Sequence, residues 1–397
     1  MTERTQRAER SLEVLRFLLI AWAASIPLSI AAAQIFAYPA ALLTLYRWIL
    51  TRDRSALHSP VFMAAVLFSA AALLAAALGP RPSVGLWKTR RLIVFLPLLL
   101  AVAQSRDPLK PGAFERRLGL AFLVGCALLA LHDVVRIPLG AFHGEWIFGL
   151  GNMRDPQFYM TGLFLLFATG SPSRTRRDRW LIFMVLLLLT AGLLLHFKRG
   201  VWFSFAATLP LLCLVCRRWK PLILFLAAVA LALLIPATRD RLLQAKSEFS
   251  RNRGGRMTLW TEVAPSLIRQ YPMGMGMSVA TNSDFRGVNR RVETKLNHLH
   301  NNALQVLLET GWIGLACWLT WMTLVFKTLI GCLRIHPDRA SPTGQVALAL
   351  LGAFTGLMLN GLVEFNFGDS EIFMLLFLLI GAAESLRPQA AARKTVA

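Results

Sequence analysis

Apolar residues gather along this chain in long unbroken runs, separated by short polar stretches in which arginine predominates. The runs lie near 17–33, 35–50, 60–78, 91–104, 117–132, 156–170, 180–197, 201–216, 221–236, 311–330, 343–363 and 370–386. Each approaches the roughly 20 residues that carry a helix across a bilayer, whereas strands or soluble amphipathic helices are shorter or alternate with polar positions. The pattern predicts an all-α integral membrane protein with about twelve transmembrane helices. Residues 1–236 then form nine spans, 237–310 a long, partly helical loop, and 311–397 the last three spans. The first run follows basic residues Arg4, Arg7, Arg10 and Arg16 and contains Ala31-Ala32-Ala33, like a signal peptide. Because eleven further spans follow, it is expected as an uncleaved first helix.

Composition agrees: 56% of 397 residues are hydrophobic, although the net charge is +22. So apolar a chain is neither disordered nor a solvated nucleic-acid binder, and no nucleic-acid partner is expected. Starting from a cytoplasmic N-terminus, the alternating loops hold 24 Lys and Arg on the cytoplasmic side and 19 on the other. Of those 19, 11 lie in residues 237–300, and long loops escape the positive-inside rule. Both termini are therefore expected in the cytoplasm. The cations left on short outer loops, among them Arg81, Lys88, Arg90, Arg91, Lys198 and Arg199, run against that rule. An anionic ligand on the outer face accounts for them. Five cysteines add little, since Cys213-x-x-Cys216 lacks the βαβ setting of a redox site.

Residues 237–300 carry the chemistry. Leu259, Trp260, Val263 and Leu267 recur at helical spacing, and Tyr271-Pro272-Met273-Gly274-Met275-Gly276 breaks the helix. An ordered outer subdomain is expected rather than a solvated basic loop. His298-Leu299-His300 precedes Asn301-Asn302, either of which can cap a helix carrying Leu304, Leu307 and Leu308. The positive end of that helix keeps the His300 imidazole neutral, as a general base must be. Glu293 is the nearest carboxylate in sequence, so no metal and no cofactor are expected. Lys198-Arg199-Gly200 and Gly254-Gly255-Arg256 offer guanidinium groups beside glycines, suited to phosphate oxygens. No Walker-type sequence occurs, so the phosphate belongs to something other than a nucleotide. A diphosphate lipid headgroup fits.

Taken in order, these elements resemble the O-antigen ligase superfamily. The motifs are Lys198-Arg199-Gly200, Gly255-Arg256-Met257-Thr258-Leu259-Trp260, Pro272-Met273-Gly274-Met275-Gly276, and His300-Asn301-Asn302-Ala303-Leu304 through Glu309 and Gly311. Lys198 departs from the small polar residue often found before that arginine. The resemblance implies a GT-C-like fold and a metal-independent, inverting glycosyltransferase of the bacterial inner membrane, working at its periplasmic face among membrane lipids. Its donor is a glycan on undecaprenyl diphosphate and its acceptor the lipid A-core oligosaccharide. Carried over, His300 is the base and Arg199 and Arg256 hold the leaving diphosphate. His298, Lys88, Arg90, Lys198 and Asn301 are expected to bind substrate. An O-antigen polymerase or a protein-glycosylating ligase shares the donor and stays open. A lipid or polysaccharide exporter fits less well, because ionisable residues sit at span ends and the halves do not repeat.

Overall fold

The computed structural model describes residues 3–52, 58–107, 109–142, 154–169, 175–196, 198–234, 255–294 and 296–387, with isolated positions at 236, 239 and 243. Among the described residues every regular element is helical. The long helices are α1 (Glu3–Ser25), α2 (Ile30–Thr51), α3 (Pro60–Leu78), α4 (Pro82–Gln104), α5 (Ala113–Phe142), α6 (Asp155–Thr169), α7 (Arg176–Leu195), α8 (Arg199–Cys216) and α9 (Lys220–Leu233). Next comes α10, a continuous run of Arg256–Thr258, a π-helical turn at Leu259–Val263 and Ala264–Gln270, then the short α11 (Asn282–Val288). The chain finishes with α12 (Asn302–Ile335), α13 (Pro342–Asn360) and α14 (Ser370–Ser385). Six of these, α3, α5, α7, α8, α12 and α13, are long and apolar enough to cross a membrane.

Local chemistry sets the boundaries. Ser29, Ser59, Ser341 and Asn301 accept backbone N–H bonds at the starts of α2, α3, α13 and α12, and Thr175 with Asp178 forms a capping box at α7. Proline occupies the first turn of α3, α4 and α13, where its missing N–H is harmless. One expectation is corrected: the first run, 17–33, is not one helix. It breaks after Ser25 and resumes at Ile30, because Pro27 cannot donate to the helix ladder and Ser29 starts a new one.

Helix α12 packs along α3, α13 against α6 and α8, α14 against α4, and α1 against α2 and α5. Large apolar side chains such as Leu42, Ile49, Leu181, Phe183, Ile223 and Leu224 point outward on α2, α7 and α9. Such belts are stable against hydrocarbon, not water. A ring cluster of Phe68, Trp318, Trp321, Phe367 and Phe373 joins α3, α12 and α14, with Phe367 in the α13–α14 connection. Its edge-to-face contacts fix that connection from below.

The segment between α9 and α12 has a small core of its own. Leu259, Val263, Leu267, Met275, Phe285, Val292 and Leu299 pack together with Leu308 of α12. Residues 244–254, including Gly254 of the expected glycine pair, lie outside the described residues. The Pro272–Gly276 turn is locked onto α12 at a kink. Gly311 has φ 65 and interrupts the helix, and the N–H groups of Met275 and Gly276 donate to the carbonyls of Leu308 and Glu309, both at 2.9 Å. Gly274 and Gly276 also have positive φ. A Cβ on Gly311 would lie 2.5 Å from the Met273 carbonyl carbon, so two backbones touch here and only glycine fits.

Candidate active site

Alternation along His298-Leu299-His300 creates the site. Leu299 is fully buried; its N–H donates to Gln305 Oε1 at 2.8 Å and its carbonyl accepts from Trp260 Nε1 at 2.6 Å. With Leu299 pinned inward, both neighbouring histidines emerge together, their ring centroids 4.0 Å apart. His300 adopts φ 50, a left-handed conformation that a non-glycine residue holds only when its surroundings enforce it. Its N–H donates to His298 Nδ1 at 3.3 Å. Asn301 caps α12 by accepting from the Leu304 N–H at 2.9 Å, and its amide donates to the Leu362 carbonyl at 2.8 Å. The site is thus tied to the α13–α14 connection.

From that connection comes the residue that sequence reasoning missed. Glu364 is buried and takes His300 Nδ1 on Oε1 at 2.8 Å and Arg256 Nη2 on Oε2 at 3.3 Å. Burial alone would raise its carboxyl, but the His300 hydrogen bond and the nearby His300 and Arg256 charges outweigh that and hold it down at about 2. An ionised carboxylate only accepts, so the bonded proton sits on Nδ1 and a neutral His300 ring presents Nε2 as a lone pair. His298 is pushed down to about 4, first by burial and then by the His300 charge. In the sequence Glu364 stands only as an acid near the outer end of the eleventh run, with Asp369 five positions further on. It also corrects the metal argument: Glu364, and not Glu293, is the carboxylate at the histidines. His298, His300 and Glu364 offer ligand atoms within 4.8 Å of one another.

Arg256 opens α10 with Gly255 before it, as the motif implied. Arg199 opens α8, buried, with Lys198 at the cap position and half-exposed. A Cβ on Gly200 would lie 3.0 Å from Asn360 Oδ1 and 3.1 Å from Val363 Cγ2, so this turn sits directly on the connection that carries Glu364. Below it is a buried polar network. Asp133 of α5 accepts from Tyr159, from His196 Nε2 at 2.8 Å and from His132 at 3.2 Å. Arg154 pairs with Asp155 and Glu371. Asp133, Asp155 and His196 form a second group with metal-ligand spacing, although hydrogen bonds and Arg154 already balance those carboxylates.

Lys88 and Arg90 stand apart from this cluster. Both are exposed on α4, and the Arg90 guanidinium stacks 3.1 Å from the centre of the Trp87 ring. Their neighbour Arg91 is the cation that reaches inward. It donates to the carbonyls of Gly368 at 3.0 Å and Phe367 at 3.2 Å and to Ser278 Oγ at 3.2 Å, joining the Glu364 connection to the glycine turn. Arg81 braces the same subdomain through Asp284 at 2.6 Å and the Val279 carbonyl at 2.9 Å.

None of the curated proteins searched matches the chain. Residues 182–319 match the family model described as O-antigen ligase. That match supports ligase- or polymerase-type glycan transfer in lipopolysaccharide biosynthesis, and it and the six long apolar helices support a multi-pass membrane protein. The matched stretch holds Arg199, Arg256, His298 and His300, and it is this part of the sequence, about a third of the chain, that is similar to the O-antigen ligase family.

Proposed function

We propose that this protein is an O-antigen ligase of the inner membrane, transferring a glycan from undecaprenyl diphosphate to the lipid A-core oligosaccharide at the periplasmic face. In this reading all twelve long helices are spans of a GT-C-like fold and residues 237–310 form its periplasmic part. The observation that carries it is the dyad of His300 Nδ1 and Glu364 Oε1 at 2.8 Å, with Arg256 on the other carboxylate oxygen. His300 Nε2 takes the proton of the acceptor hydroxyl as its oxygen attacks the anomeric carbon. The bond from that carbon to the diphosphate oxygen breaks on the opposite face, which inverts the configuration. Glu364 stabilises the imidazolium that forms, and Arg256 and Arg199 meet the charge gathering on the leaving diphosphate. The reaction needs no metal: Arg256 already pairs with Glu364, and a guanidinium beside the carboxylate repels a divalent cation. His298, Lys198 and Asn301 bind substrate around this centre, and Lys88 and Arg90 hold a more distant part of it.

The test is a strain lacking the gene, complemented with variants and followed by transfer assays on purified enzyme in chelator. Without the gene, glycan-capped core disappears while polymerised glycan accumulates on its lipid carrier. Wild-type protein restores capping and stays active in chelator. A general base typically contributes about 10²- to 10⁴-fold, so His300→Ala loses that much rate while still binding donor, whereas Arg256→Ala loses donor binding. Capping of the core by single repeats in the deletion strain would make the chain a polymerase. Activity lost to chelation and restored by Mg²⁺ would replace the metal-free mechanism.

A further inference from the structure

A groove away from the histidines lies between the start of α5, the end of α6, the start of α13 and the later half of α14. Its enclosed volume is about 50 Å³ and the rest of its space is open to the surroundings, so it admits part of a slender chain rather than a whole bulky ligand. Leu118, Phe122, Leu350 and Leu378 line it. Thr161 and Thr169 line it too, with their hydroxyls turned back onto the carbonyls of Gln157 and Leu165. Along α5 the lining runs from Glu115 to Leu123, about 12 Å at the helical rise.

One end of this apolar channel is charged. Glu115 lines it at 3% exposure, and neither of its carboxyl oxygens has a hydrogen-bond partner among the described residues. A carboxyl taken out of water without a partner is costly, and native structures rarely tolerate one. Arg116 lines the same end and is exposed. A carboxylate beside a guanidinium, at the mouth of a hydrocarbon groove, complements a headgroup with an ammonium and a phosphate joined to an acyl chain. By the charge distribution of the loops, this end faces the cytoplasmic leaflet. We infer that the groove binds a phospholipid with a primary ammonium headgroup, of the ethanolamine type, its ammonium on Glu115, its phosphate on Arg116 and its chain along α5. The inference rests on the helices lying in a membrane and not on glycan transfer.

Full-length protein incubated with vesicles of equal phosphatidylethanolamine, phosphatidylglycerol and phosphatidylcholine, then extracted gently and weighed by native mass spectrometry, tests it. A charge-assisted hydrogen bond supports about a tenfold preference. Wild-type protein should therefore retain the ethanolamine lipid about tenfold over the other two, and Glu115→Gln should lose the preference. Leu120→Trp blocks the groove from an exposed position while leaving the carboxylate intact, and it should abolish retention even if Glu115→Gln proves unstable. Equal retention of all three lipids by wild type, or an unchanged preference in either variant, overturns the assignment. Because the readout is bound lipid, the result is independent of whether the enzyme is a ligase.

Discussion

His298 and His300 are two residues apart and meet the same carboxylate, yet their surroundings separate them. His300 holds Glu364 through a direct hydrogen bond. His298 has no such bond to it, and burial followed by the His300 charge depresses its protonation from 6.5 to about 4. Between those two values the unfolded chain binds the proton and the folded chain does not. The stability associated with His298 is therefore complete above pH 6.5 and drains away as pH falls toward about 4. His298→Asn keeps an acceptor for the His300 N–H and removes the titration. Thermal unfolding of the variant should accordingly lose less stability than wild type between pH 7 and 4.5, and parallel curves would refute the assignment. At this scale His300, Arg256 and Asn301 were legible in the sequence, because a cap, a glycine and a helix start are local signals. Glu364 and Arg91 were not, since nothing in the order of residues says which loops meet.

Among the elements, the kink in α12 does the positioning. The carbonyls of Leu308 and Glu309 are capped by the glycine turn, and Gly311 lies in backbone contact with Met273 and Pro272. The first part of α12, with His300 just before it, is thereby fixed to the outer subdomain, while the later part packs within the bundle. Gly311→Ala forces a Cβ into that contact at a φ that L side chains rarely adopt, which costs about 1–3 kcal/mol. The variant should melt at lower temperature and lose transfer activity; an unchanged melting temperature would mean that the turn is not held there. The apolar runs announced the long helices because their period and length are local properties, and serine, asparagine and proline marked most of their ends. Pro27 was as visible as the others, but continuous hydropathy on both sides hid the break it makes in the first run. The Gly311 kink could not be read in advance, because its cause is a turn some forty residues away in sequence.

For the whole molecule, the distribution of basic residues sets an orientation that labelling can check. The outer subdomain should react from outside the cell and the α12–α13 turn only from within. Ser283→Cys, on exposed α11, should be modified by a membrane-impermeant maleimide in intact spheroplasts, above the background of the native cysteines. Ala340→Cys, exposed between α12 and α13, should react only after permeabilisation. The reverse pattern would invert the topology and move the histidines to the cytoplasmic side.

The pairing of His300 with Glu364 spans 64 positions of chain, and two long helices are made between them. During translation the histidine and both motif arginines leave the ribosome first, and the glutamate follows only after α12 and α13 have been threaded. Until Glu364 is in place, the nascent chain has neither the His300–Glu364 hydrogen bond nor the Arg256–Glu364 ion pair. The His300–Glu364 pair therefore forms only once the fold is complete as far as the α13–α14 connection.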